Sequence, residues 1–232
     1  MKTIVICLIV CCAGAFFACE QSIVNPPPVP PSGALTAANY MLSVKPGDSE
    51  TFNQTVYDST GRVINPTVII TMMVLDTNIW LANGEKAVKV AYTQRDFTQP
   101  YETDYITSSD SGIISYSDIG CKKFKNILLN PLKDSAWFGL YNTVHSPNYS
   151  TIDSLLTHIT TTLGTFPALK VIECENNIES SNGHRDSIAT TTEAYLSTGN
   201  LVVYQRATEI QWEDDNIKSE TITVTDLKSK TW

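Results

Sequence analysis

The chain has 232 residues, of which 42% are hydrophobic and only 17% charged, with a formal net charge of -8. That balance excludes a chain disordered throughout, which needs low hydrophobicity and high net charge. It also argues against a nucleic-acid binder held by a basic face, and the absence of any apolar run near ~20 residues argues against a polytopic membrane protein.

The first segment is Met1-Lys2 followed by an apolar block from Thr3 to Phe17, too short to span a bilayer and suited to a signal-peptide core. It ends in Phe16-Phe17-Ala18-Cys19. A small residue directly before a cysteine resembles the lipobox of bacterial lipoproteins. The resemblance implies that residues 1–18 are a leader cut after Ala18 and that Cys19 is the acylated anchor. Cys11 and Cys12 have poorer residues before them, and cleavage of a plain signal peptide after Ala13-Gly14-Ala15 is the alternative. Pro26 to Pro31 hold five prolines in six positions. They favour extended polyproline II, a semi-rigid spacer. Residues 19–33 are therefore expected to be anchor and spacer, and 34–232 a single domain.

Six cysteines are present. Three leave with the leader and Cys19 carries lipid on this reading, so Cys121 and Cys174 remain. In an oxidising compartment they are expected to form a disulfide. It would close a loop of about 54 residues and stabilise by about 4 kcal/mol on the chain-entropy account. Two buried thiols are the alternative. No CxxC or HxxxH spacing accompanies them, so no zinc site or other metal site is expected.

Within the domain, Thr36 to Leu42 suits one turn of helix, and nearly everything else reads as strand. Thr, Ser, Val, Ile and Tyr are frequent, and most of these fit a pleated, half-buried surface. In Thr51 to Tyr57, Phe52, Gln54 and Val56 alternate. Thr67 to Leu75 is almost continuously apolar and reads as a central strand. Lys86 to Tyr92 places Val88, Val90 and Tyr92 on a buried face. Further strands are expected at Leu169–Cys174, at Leu201–Gln205, and at Glu220–Leu227, where Thr221, Thr223 and Thr225 oppose Ile222 and Val224. Asp153 to His158 is ambiguous. Turn signals punctuate the chain at 58–61, 82–85, 109–112, 163–165, 181–183, 197–200 and 214–216. The pattern is mainly β and antiparallel, with little helix and no βαβ alternation.

Four segments taken in order, Val44-Lys45-Pro46-Gly47-Asp48, Asn130 to Trp137, Gly164 to Val171 and Tyr195 to Val202, resemble a broad set of envelope lipoproteins of the Bacteroidota. There, a PLKxGxxW turn, an xGTFxAxKV turn and a YYAxGVGLV strand follow one another. Asp134-Ser135 and Asn200 stand where that pattern has glycines. The resemblance implies a curved antiparallel sheet or half-barrel like that of lipoprotein carriers, with a sandwich as the other arrangement, and location in the cell envelope, lipid-anchored to the outer membrane. It implies no catalytic residues.

The chemistry-bearing residues are sparse. His145, His158 and His184 lack metal-ligand spacing, and there is no GxSxG, HExxH, P-loop or GxGxxG. Glu213-Asp214-Asp215 reads as a solvated turn, because calcium needs six to eight spaced oxygens. Trp80, Phe97, Tyr101 and Tyr105 read as strand packing, with a sugar platform as the alternative. Trp137 reads as a core plug, with a ligand platform as the alternative. The expectation is a non-enzymatic protein without cofactor that offers a concave sheet to an apolar ligand or an envelope protein. Trp137, Tyr92 and Trp80 are its candidate binding residues. An adhesion or glycan-binding lipoprotein and a secreted hydrolase are the alternatives.

Overall fold

In the computed structural model, the compact unit runs from Leu35 to Trp232. The described residues are 36–95, 97, 99–130, 132–133, 137–140, 148–181, 184–213 and 216–231. The expected leader, Cys19 and the expected proline spacer lie outside them.

Among the described residues, a 3-10 turn at Ala37–Tyr40 is followed by twelve strands. They are β1 (Ser49–Asp58), β2 (Val63–Trp80), β3 (Lys86–Gln94), β4 (Glu102–Ser109), β5 (Gly112–Tyr116), β6 (Phe124–Leu129), β7 (Trp137–Gly139), β8 (Tyr149–Thr160), β9 (Thr165–Ser181), β10 (His184–Ser197), β11 (Leu201–Glu213) and β12 (Asn216–Lys230). Each turn signal read from the sequence falls at the junction of two consecutive strands. Gly84, for example, takes φ +83° in the β2–β3 turn, where a side chain would be strained. Asp153 to His158, ambiguous in sequence, lies within β8.

All strands belong to one antiparallel sheet, in the order β6-β5-β4-β3-β2-β1-β12-β11-β10-β9-β8-β7. A two-sheet sandwich is thereby set aside. The first and last strands pair, Phe52 opposite Leu227, and the sheet curls until its two edges meet. Asn126 of β6 donates its backbone N–H to Leu140 O at 2.8 Å and its side-chain amide to Gly139 O at 2.6 Å. The result is a nearly closed barrel.

Alternation along the strands sends one face of each into the lumen. Val74, Val90, Ile106, Ile113, Leu128, Leu169, Val171, Leu196 and Leu227 are buried there and form the main core. Val88, Val90 and Tyr92 share the inward face, as their alternation predicts. Thr67–Leu75 lies within β2, an interior strand, but only one of its faces is covered. Met72 and Val74 point in, while Met73 and Leu75 are exposed. The segment before β1 caps one end of the lumen. Tyr40 and Leu42 join the core, Ala37 donates its backbone N–H to Asn130 Oδ1 at 2.9 Å, and Gly199 donates to Asn39 O at 3.3 Å.

A second, smaller cluster of Leu81, Ala87 and Tyr116 forms where the tip of the β2–β3 hairpin meets β5. Ala82 N–H donates to Ile119 O at 2.9 Å, and the Tyr116 hydroxyl donates to Glu85 at 3.1 Å.

Cys121 and Cys174 are not bridged, which corrects the expected disulfide. Cys121 sits in the β5–β6 turn at φ +58°, beside the smaller cluster. Cys174 is buried within β9, between Tyr149 of β8 and Thr191 of β10. Alternation turns it away from the lumen that Val171 and Glu173 face. Cys121 therefore lies in a turn beside the smaller cluster while Cys174 faces away from the lumen, and their thiols are not joined.

Candidate functional site

Toward the other end of the lumen the core opens into a cavity of about 720 Å³. The register shows how it is built. Directly paired, inward-facing neighbours cross five strands in one row: Lys230 (β12), Glu50 (β1), Met72 (β2), Tyr92 (β3) and Glu102 (β4). The next row along β1 and β2 is Phe52 opposite Ile70. Asp104 and Ile106 on β4, with Leu201 and Val202 on β11, extend the wall.

Glu50 is the anomaly in this row. It is only 1% exposed, and its Oε1 has no hydrogen-bond partner among the described residues. Lys230 is its cross-strand neighbour but donates Nζ to Asn200 Oδ1 at 2.7 Å. It therefore attracts Glu50 only through space. Burial pushes the Glu50 carboxyl up to about 8, with Lys230 opposing that rise. Asp104 is also raised, first by burial and then by Glu102, while a hydrogen bond to Ser115 and the charge of Lys125 pull it back. The Tyr92 hydroxyl is raised by burial and then by Asp104, Glu102 and Glu50. These carboxylates therefore converge on the Tyr92 side of the cavity. Tyr101 stands at the mouth, its ring 6.5 Å from that of Tyr92.

The opposite wall carries an ion pair. Lys125 Nζ on β6 lies 2.8 Å from Glu173 Oε2 on β9, with Glu175 at 4.0 Å. Farther along β1, β11 and β12 the cavity lining turns polar. Gln54 donates to Thr225 Oγ1 at 3.3 Å, and Gln205 pairs across to Thr225. The Thr face of β12 is therefore the lumen face, and Ile222 and Val224 lie on the outside.

Of the sequence candidates, Tyr92 lines the cavity. Trp80 does not line it. Shifts of register at Val74–Asp76 and Asp76–Ile79 turn the end of β2, and Trp80 stands 64% exposed with Lys86 Nζ 5.2 Å from its ring. Trp137 opens β7, its backbone paired with Thr151, and its side chain lies outside the described residues. Tyr105 is half-buried on β4 and packs against the smaller cluster, as strand packing expects, whereas Phe97 and Tyr101 are 60% and 54% exposed. Among the described residues the exposed aromatics form no single strip either. Phe97 and Tyr101 belong to the β3–β4 connection, bonded to Gln94 and Tyr92, whereas Trp80 pairs with Lys86 at the far end of β3. That separation is about 20 Å at the rise of a strand.

His158 is exposed on β8. His145, Asp214 and Asp215 lie outside the described residues, as does the side chain of His184. Glu213 pairs with Lys218 at 3.2 Å. Among the described residues no three His, Cys, Asp or Glu side chains are grouped to hold a metal ion.

Glu50, Asp104, Glu173 and Lys125 went unremarked in the sequence, although a signal existed. Each shares the parity of an apolar inward residue two positions away, Phe52, Ile106, Val171 and Ile127 respectively. Charges in register with a core face mark a lumen that is not fully packed.

No protein-family model and no curated protein matches the sequence. Among solved structures the chain is similar to a protein of Bacteroides fragilis NCTC 9343, inferred to be exported and having a YmcC-like fold. The two share 12% identity over 83% of this chain and 99% of that one, with a TM-score of 0.42. It is also similar to a protein of Parabacteroides distasonis ATCC 8503, inferred to be a lipoprotein. There the identity is 13% over 85% of this chain and 100% of that one, with a TM-score of 0.40.

Proposed function

We propose that the protein is a bacterial envelope lipoprotein, anchored through acylated Cys19 to the outer membrane, that works by non-covalent binding of an amphipathic ligand in its barrel. The observation that carries this reading is the cavity of about 720 Å³, with an apolar floor and charged side chains set among the walls. Sites for small ligands combine mostly apolar walls with a few placed polar groups, in cavities of roughly 300–1,000 Å³. The leader ending in Ala18-Cys19 and the proline-rich spacer support the anchored part of the reading. Acyl chains contribute about 0.8 kcal/mol per buried methylene, enough in combination to hold a folded domain at a bilayer.

A binding role rather than catalysis accords with the residues at the cavity. Its charged groups are carboxylates on strands and lysines at or just before β6, and no described Ser-His-acid arrangement faces it. A glycan-binding surface finds less support, because the exposed aromatics are divided between two ends of β3.

The test is binding of the neutral probe N-phenyl-1-naphthylamine to exported protein carrying Cys19→Ser. Saturable fluorescence enhancement is expected, and Met72→Trp, which fills the cavity floor, should abolish it. Enhancement that survives Met72→Trp unchanged in a folded variant would place the probe elsewhere and remove the basis for the reading.

A further inference from the structure

The binding reading leaves the chemistry of the ligand open, and the lumen wall narrows it. Glu50 is buried with an oxygen unpartnered, while Lys230, its cross-strand neighbour, is committed to Asn200. Lys125 is held by Glu173 across the cavity. Among the described lining residues, Glu50, Glu102 and Asp104 then face the space opposed by Lys123 and, at Asp104, by the charge of Lys125. Tyr92 stands between Met72 and Glu102 in the same row, with Tyr101 beside it. Buried carboxyl groups next to aromatic rings suit a cationic group, which gains charge-assisted hydrogen bonds from the acids and cation–π attraction from the rings. Anionic headgroups meet the opposite field. The neighbouring row, Phe52 and Ile70, is apolar and suits a hydrocarbon chain.

Resting on the binding role proposed above, we infer that the ligand is an amphiphile with an ammonium headgroup. The headgroup lies among Glu50, Asp104 and Tyr92, and its apolar body lies along Phe52 and Ile70. An ammonium there donates to the unpartnered Glu50 oxygen and supplies a counter-charge, so that binding displaces the proton this buried carboxyl otherwise keeps at neutral pH. The residues facing Glu50 from adjoining strands are Lys230 on β12, Tyr92 on β3, and Glu102 and Asp104 on β4.

Isothermal titration calorimetry at neutral pH with octylammonium, octanol and octanoate tests this on exported Cys19→Ser protein. Octylammonium should bind about tenfold or more tightly than octanol, and octanoate more weakly than either. Glu50→Gln and Asp104→Asn, both close to isosteric, should each erase most of that preference while leaving octanol binding in place. Equal affinity for octanol and octylammonium, or an unchanged preference in both variants, would overturn the headgroup assignment and leave the cavity reading intact. Failure of all three compounds to bind would instead overturn the cavity reading, and the headgroup assignment with it.

Discussion

Lys125 and Glu173 join two strands that are not neighbours in the sheet. Their charged atoms lie 2.8 Å apart, across the region where the edges of the barrel approach. β7 is only three residues long, so hydrogen bonds alone close little of this seam, and the ion pair spans part of what remains. Glu173 is buried while Lys125 keeps about a third of its side chain exposed.

Lys125→Met should therefore destabilise the barrel by about 2 kcal/mol, because Glu173 then keeps a buried charge without its main partner. Partial exposure of the lysine holds the figure below that of a fully buried pair. Adding Glu173→Gln should recover part of the loss. Chemical denaturation of the two single variants and the double variant measures the coupling. Strict additivity would show that the pair does not hold the seam.

Glu50 should impose a pH dependence on stability. Its carboxyl lies near 8 in the folded protein against an ordinary 4.5. Between those values the folded state keeps a proton that the unfolded chain has lost, so this group makes stability fall as pH rises from about 4.5 through 8. Glu50→Gln should flatten that decline and raise the melting temperature above pH 8. Melting curves from about pH 5 to pH 9 would show it, and parallel curves for the two proteins would refute it.

Gly112 opens β5 at φ +145°, and a Cβ there would overlap the carbonyl oxygen of Leu128 on β6. Because the obstacle is backbone, Gly112→Ala should cost more than about 3 kcal/mol or prevent folding. At Gly47, with φ +93° and nothing nearby, the same change should cost only about 1 kcal/mol. Denaturation of the two variants side by side separates steric conflict from conformational preference.

Non-reducing peptide mapping should return Cys121 and Cys174 as separate thiols. Under native conditions iodoacetamide should modify Cys121 well before Cys174, which becomes reactive only on unfolding. Recovery of a Cys121–Cys174 linked peptide would contradict the unbridged thiols of the structure.

Cys19→Ala should shift the protein from the membrane fraction to the soluble fraction and remove acyl mass from its N-terminal peptide. A membrane-bound variant of unaltered distribution would refute the anchor.

The sequence alone determined the secondary structure to a large degree. Backbone geometry leaves a local trace, with period-two alternation at Val88, Val90 and Tyr92 and turn residues at seven strand junctions, Asp58–Gly61 the first of them. Such patterns depend only on neighbours along the chain. Closure of the sheet, and which face of each strand is the inner one, were decided by tertiary structure. Thr221, Thr223 and Thr225 alternate with Ile222 and Val224, and simple patterning would bury the aliphatic pair. Pairing of β12 with β1 and β11 puts the threonines inside instead, because Thr225 stands in register with Gln54 and Gln205. The cavity is likewise a product of register. Glu50, Met72, Tyr92 and Glu102 lie far apart along the chain, and only the alignment of four strands makes them one wall. A charge's neighbours across a sheet are fixed by long-range pairing, which no local pattern encodes.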